Sequence, residues 1–117
     1  MRLDVYYIDA FADSVFSGNP AAVIFSDLND EVIMQKIAAE NNLSETAFIN
    51  QKNGINHIRW FSPTTEVNLC GHATLASGYV YFNFLNQNEN KIIFSSASGD
   101  LVVQNKDAFL ELDFPKD

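Results

Sequence analysis

A chain of 117 residues, 47% of them hydrophobic, has enough apolar material for one domain with a real core. Ten Phe, four Tyr and one Trp set it apart from disordered chains. Seven Lys and Arg against 15 Asp and Glu leave a formal charge of −8, and the cations are scattered, which argues against nucleic acid or anionic lipid as a partner. No apolar run approaches the ~18 residues of a membrane-crossing helix, and the N-terminus enters a charged, alternating segment with no signal-peptide core, so a cytoplasmic protein is expected. The single cysteine, Cys70, rules out an internal disulfide framework and cannot alone supply a cysteine-based zinc site.

Leu3 to Asp9 alternate with the period of a strand that has at least one buried side. Ser17-Gly18-Asn19-Pro20 is dense in turn formers and leads into Ala21 to Phe25, a short apolar run suited to a second strand. Asn29-Asp30 offers helix-capping chemistry ahead of Val32, Ile33, Ile37 and Ala38, whose spacing marks one apolar helical face, and Asn41-Asn42 supplies a stop. Thr46–Asn50 and Asn56–Phe61 read as strands around Asn53-Gly54, a pair that tolerates positive φ and favours a tight hairpin. From Gly71 to about Phe84 the chain has almost no charge and is apolar on all sides, the mark of a buried helix. Beyond a polar loop at Asn86–Asn90, Lys91–Ser96, Leu101–Gln104 and Phe109–Phe114 read as strands, with a turn at Ser98-Gly99-Asp100. The expected fold is α+β, a mainly antiparallel, barrel-like sheet wrapped around a central buried helix.

Three segments carry residues with chemical potential. Glu45 lies at a helix-to-strand junction before the apolar Ala47-Phe48-Ile49, where loss of hydration would raise a carboxyl pKa toward the range useful for proton transfer. A solvated glutamate at a strand start is the plainer reading. Cys70-Gly71-His72 enters the apolar helix, whose first N–H groups lack intrahelical partners. Gly71 has no side chain to block an approaching carboxylate, and His72 could donate a hydrogen bond or shuttle a proton. The plainer reading makes Gly71 a tight turn, His72 a satisfied first-turn residue and Cys70 a small core hydrophobe. Ser17-Gly18-Asn19-Pro20 could present backbone and amide groups to a ligand, though such strings are more often turns. His57, beside Arg59 and Trp60, reads as a surface or edge residue. No phosphate-binding loop, dinucleotide fingerprint, HExxH or paired CxxC occurs, so no cofactor or metal is expected.

Taken in order, Asp9-Ala10-Phe11, Gly18 to Val23, Ile37-Ala38 with Glu40, Asn42 to Phe48, Arg59 to Pro63, Glu66-Val67, Leu69 to Ala76, Ser98-Gly99 and Asp113-Phe114-Pro115 resemble the PhzF-like proteins. This is the phenazine-biosynthesis isomerase family, related in fold to diaminopimelate epimerase. Asn42-Leu43-Ser44-Glu45-Thr46 and Cys70-Gly71-His72-Ala73-Thr74 at their family separation are the strongest joint signal.

The resemblance implies a cofactor-independent isomerase in which a glutamate moves a proton between carbons of a small carboxylated metabolite. Glu45 matches that acid/base, with His72 as its catalytic companion. Gly71, Cys70, Ser44 and Asn19 are the implied substrate-binding residues, Cys70 falling where related epimerases keep a catalytic thiol. Family members have two similar lobes with the site in the cleft between them, so residues 1–117 are expected to form a single domain equivalent to the N-terminal lobe. A homodimer or a separate second-lobe polypeptide would then complete the cleft. The other readings are an amino-acid epimerase or racemase with Cys70 as base, and a catalytically inactive lobe serving as a small-acid-binding or structural module.

Overall fold

The computed structural model describes residues 3–10, 19–107 and 109–114, without the side chains of Ala10 and Asn19. Strand β1 (Tyr6–Ala10) begins later than the alternation from Leu3 predicts, because Leu3 and Val5 pack into a separate cluster beneath the first helix. Strand β2 (Asn19–Phe25) begins earlier than expected: Asn19 and Pro20 are not turn residues but pair with Ala10 and Asp9. Proline is tolerated there because pairing with the next strand starts only at Ala21. Ser17 and Gly18 of the expected turn, and Phe11 and Pro115 of the family strings, lie outside the described residues.

Helix α1 (Glu31–Asn41) starts where Asp30 accepts hydrogen bonds from the N–H groups of Val32 (3.0 Å) and Ile33 (3.3 Å). It stops at Asn42, whose left-handed φ of 53° turns its N–H onto the Ala38 carbonyl. Its buried residues are Met34 and Ala38. Val32, expected inside, is 63% exposed, since two residues at about 100° each carry it to the side opposite Met34.

Strands β3 (Glu45–Lys52) and β4 (Ile55–Phe61) form the hairpin that Asn53-Gly54 predicts, both turn residues having positive φ (54° and 77°). A short β5 (Glu66–Val67), not anticipated from the sequence, folds back onto β4. Helix α2 (Gly71–Val80) continues into a π-helical turn at Tyr81–Leu85. Strands β6 (Lys91–Ser96) and β7 (Gly99–Asn105) follow, with the turn at residues 97–98 and Gly99 already in the strand. The last strand, β8 (Leu110–Asp113), is shorter than the alternation from Phe109 to Phe114 implies.

The sheet runs β1-β2-β3-β4-β6-β7-β8, with β5 attached to β4, and it is mixed. β2 with β3 and β4 with β6 are parallel, the other pairs antiparallel. Five of these seven pairings are antiparallel, and the sheet departs from the expected antiparallel arrangement only at the two crossovers. Each helix returns the chain to the end of the sheet it left, so the strands flanking α1 and α2 must run the same way.

The sheet curls into a half-barrel over α2, which touches β1 and β8, the two ends of the strand path, as well as β2, β3 and β7. Period-2 alternation then divides the core. Ala21, Val23, Ala47, Ile49, Ile58 and Trp60 meet α2, whereas Ile24, Phe48 and Phe61 meet Met34 and Ala38 of α1. Each fully buried large side chain contributes roughly 1.5–3 kcal/mol. Helix α2 approaches β7 so closely that a Cβ on Gly78 would lie 2.6 Å from Val103 Cγ1. The helix is not enclosed all round: Leu75 is half-buried and Tyr79 is 44% exposed, on the side where β1 and β8 leave an open seam. An apolar cavity of about 500 Å³ lies in this seam, lined by Tyr7, Ile8, Leu75, Tyr79, Phe109 and Leu110 among others.

Candidate functional site

The start of α2 is fixed from inside the core. Trp60, 2% exposed on β4, donates its indole N–H to Thr74 Oγ1 (3.1 Å), and Thr74 Oγ1 donates to the Cys70 carbonyl (2.7 Å). The Thr74 N–H bonds the same carbonyl at 3.1 Å, the first bond of the helix. The N–H groups of Gly71, His72 and Ala73 therefore precede the intrahelical ladder. A second anchor holds the approach to β3: Asn41, at the end of α1, donates its amide N–H to the fully buried Thr46 Oγ1 (3.1 Å). Glu45, immediately before Thr46, enters β3 paired in parallel register with Ala21.

These anchors bring Glu45 and His72 together. His72 Nε2 lies 2.9 Å from Glu45 Oε1, and the two side chains are 20% and 18% exposed. Cys70 Sγ closes the cluster, 3.4 Å from His72 Nδ1 and 3.9 Å from Nε2. Burial pushes the Cys70 thiol from its ordinary value of 9.0 up to about 12, an effect that the Ala73 N–H opposes and the neighbouring Glu45 reinforces. A carboxyl, an imidazole and a thiol thus share one corner at a helix N-terminus. All three side chains are largely buried, with Cys70 7% exposed.

The remaining sequence-derived residues are placed less directly. Ser44 is exposed in the bend ahead of Glu45. Gly71 opens α2, but a Cβ there would meet the ring of Phe114 at 3.3 Å and Leu112 at 3.7 Å, so its bare face is turned toward the β8 end. Asn19 contributes a backbone pair to β1, and its side chain lies outside the description. His57 is exposed, as expected, although β4 is an interior strand with β3 and β6 on either side.

Sequence reasoning missed two groups. The Trp60–Thr74–Cys70 chain could have been found from the lone Trp and the Thr of the Cys-Gly-His-Ala-Thr string, both apolar-flanked residues with a polar atom that needs a partner when buried. The other is Arg59, which grips Glu66 through Nε and Nη2 (2.7 Å each) and reaches Glu31 Oε1 at 2.7 Å, tying β4 to β5 and to the first turn of α1. Its guanidinium also lies 5.4 Å from the Phe61 ring centroid. The hydrogen bond from Arg59 holds the Glu66 carboxyl below its ordinary range. This ion-pair group borders a separate cavity of about 780 Å³ that also includes Lys52, His57 and Asn68.

A curled mixed sheet over a helix whose N-terminus gathers a carboxyl, an imidazole and a thiol defines an α+β half-barrel. The chain belongs to the phenazine biosynthesis-like (PhzC-PhzF) protein family, whose sequence profile matches residues 8–116. It is 49% identical over 117 residues to an uncharacterised isomerase of Pseudomonas aeruginosa, covering 98% of this chain and 45% of that protein. A crystal structure of a PhzC/PhzF phenazine biosynthesis protein from Clostridium difficile superposes with a TM-score of 0.89 at 45% identity, over 99% of this chain and 45% of that one. A predicted epimerase from Pseudomonas aeruginosa, only 24% identical, shares the fold with a TM-score of 0.73 over 89% of this chain and 38% of that one. The chain thus spans less than half the length of the curated relatives it matches.

Proposed function

We propose that the protein is one lobe of a cofactor-independent isomerase that moves a proton between carbons of a small carboxylated substrate. The carrying observation is the 2.9 Å contact between Glu45 and His72 beside the unladdered N–H groups of α2. In this reading the helix N–H groups hold the substrate carboxylate. Glu45 takes a proton from one carbon as the C–H electron pair moves into the substrate's π-system, and it returns the proton at another carbon as the double bond shifts. His72 keeps the Glu45 carboxyl oriented through the exchange.

Such transfer needs donor, acceptor and substrate within hydrogen-bond reach, and the chain spans less than half the length of the curated relatives it matches. A second lobe, from another copy or another polypeptide, completes the site. The exposed Tyr7, Tyr79, Phe84, Phe109 and Phe114 are the apolar surface such a partner would cover. Use of Cys70 as the base of an epimerase is the weaker reading, because a thiol held near 12 offers little thiolate at neutral pH. The short span relative to those relatives favours the alternative of a lobe that binds small acids without turning them over.

Two measurements test this. Small aromatic and amino-acid carboxylates titrated into labelled protein are expected to shift the Gly71, His72 and Ala73 amides, and an unmoved spectrum across the panel contradicts substrate docking at α2. Sedimentation is expected to show self-association at micromolar concentration, and a well-folded monomer removes the homodimer version.

A further inference from the structure

We propose that Glu45, Cys70 and His72 form a three-ligand binding site for one thiophilic divalent cation of the zinc class. No motif announces it. The single cysteine has no CxxC partner, and the carboxylate comes from a different element, at the start of β3. Folding alone assembles the set, with the three ligand atoms all within 4.8 Å of one another.

The geometry fits a metal of this size. Tetrahedral Zn²⁺, with sulfur at about 2.3 Å and nitrogen and oxygen at about 2.0–2.1 Å, requires an S···N edge of about 3.6 Å and an N···O edge of about 3.3 Å. The corresponding edges are 3.9 Å from Cys70 Sγ to His72 Nε2 and 2.9 Å from His72 Nε2 to Glu45 Oε1. Seating the ion therefore asks these two edges to change by roughly 0.3–0.4 Å, while the third, from Cys70 Sγ to the Glu45 carboxylate, lies within 4.8 Å and closes toward about 3.6 Å. The ligand backbone is already held, because Thr74 and Trp60 fix the Cys70 carbonyl.

The donor set decides the class of cation. One thiolate, one imidazole and one carboxylate suit Zn²⁺ or Co²⁺, whereas Mg²⁺ and Ca²⁺ demand oxygen shells that this corner does not offer. When the metal–sulfur bond forms, the thiol proton leaves to solvent and the sulfur electron pair goes to the cation. Three protein ligands leave the fourth position of a tetrahedral ion to water or a solute, the pattern of an exchangeable site and not of a closed structural one. A cation there takes the Glu45 oxygen from His72, so occupancy and proton transfer exclude each other. That last consequence rests on the isomerase reading; the binding site does not.

Co²⁺ titration of the metal-free protein tests the site without any turnover. A thiolate-to-cobalt charge-transfer band in the near ultraviolet has one possible source, since the chain has one cysteine. The expected result is a band that saturates at one Co²⁺ per chain and disappears when Zn²⁺ is added. Glu45→Gln and His72→Ala are expected to weaken binding at least tenfold, and His57→Ala, at an exposed histidine elsewhere, to leave it unchanged. Absence of the band in the wild-type protein, with its circular dichroism intact, overturns the proposal on its own. So does binding that His57→Ala abolishes or that both Glu45→Gln and His72→Ala leave untouched.

Discussion

If burial holds the Cys70 thiol near 12, its alkylation kinetics follow directly. At pH 8 a group with pKa about 12 is about 10⁻⁴ thiolate, whereas the unfolded chain, near its ordinary 9.0, is about one tenth thiolate, a ratio on the order of 10³. Higher basicity makes each thiolate a better nucleophile, and with a Brønsted slope of about 0.4–0.5 the three-unit difference returns a factor of roughly 15–30. Native protein should therefore react with iodoacetamide roughly 30- to 60-fold more slowly than protein in urea, before any further slowing from burial. Mass spectrometry over time measures both rates. Between pH 8 and 10 the native rate should climb about tenfold per unit, while the unfolded rate levels off above about 9. Native reactivity within threefold of the unfolded rate, with the fold intact, would refute the desolvated thiol and revive Cys70 as a base.

The same shift sets a stability window: a thiol whose native pKa is raised contributes stability below about 9 that is lost as pH rises toward about 12, so urea midpoints should fall across that range less steeply in Cys70→Ala. For Glu66 the sign is opposite, its native pKa being lowered by Arg59, so the stability it adds is present above about 4.5 and lost as pH falls. Both side chains are about one-third exposed, and Glu66→Gln should cost only about 0.5–1 kcal/mol at pH 7 and nearly nothing at pH 2; equal costs at both would contradict the pair. Gly78→Ala gains about 1 kcal/mol of helix propensity but drives a methyl against Val103, for a net loss of about 1–2 kcal/mol. A double-mutant cycle with Val103→Ala should recover much of that loss, and strict additivity would show the contact to be harmless. Thr74→Val leaves the Trp60 indole N–H without its partner and should cost about 1–3 kcal/mol by denaturant unfolding; a change below 0.5 kcal/mol would discount the buried chain.

Local chemistry made part of the fold readable. Asn53-Gly54 fixes a hairpin because both residues accept positive φ, and Asp30 and Asn42 bound α1 through caps formed within a few residues. Pairing direction is different in kind. Nothing in Ala21–Phe25 or Thr46–Asn50 says that these strands run parallel, since that follows from α1 crossing between them. Asn19 and Pro20 carry turn composition yet lie in β2, because pairing with β1 outweighs local preference. At the site, Glu45 and His72 were each ambiguous in their own strings, and the resemblance is what singled them out. Their contact through Nε2, and the third corner at Cys70, depend on Trp60, Thr74 and Asn41 holding two distant segments in place.

The central claim is that Glu45 carries the proton. It is tested most directly in D2O, where unsaturated and amino-substituted small carboxylic acids are incubated with the associated protein and deuterium at carbon is read by NMR. At least one acid is expected to gain deuterium with the wild-type chain, and Glu45→Gln to lower that rate by about 10²- to 10⁴-fold while Cys70→Ala retains it. Incorporation that survives Glu45→Gln and vanishes with Cys70→Ala would contradict the account.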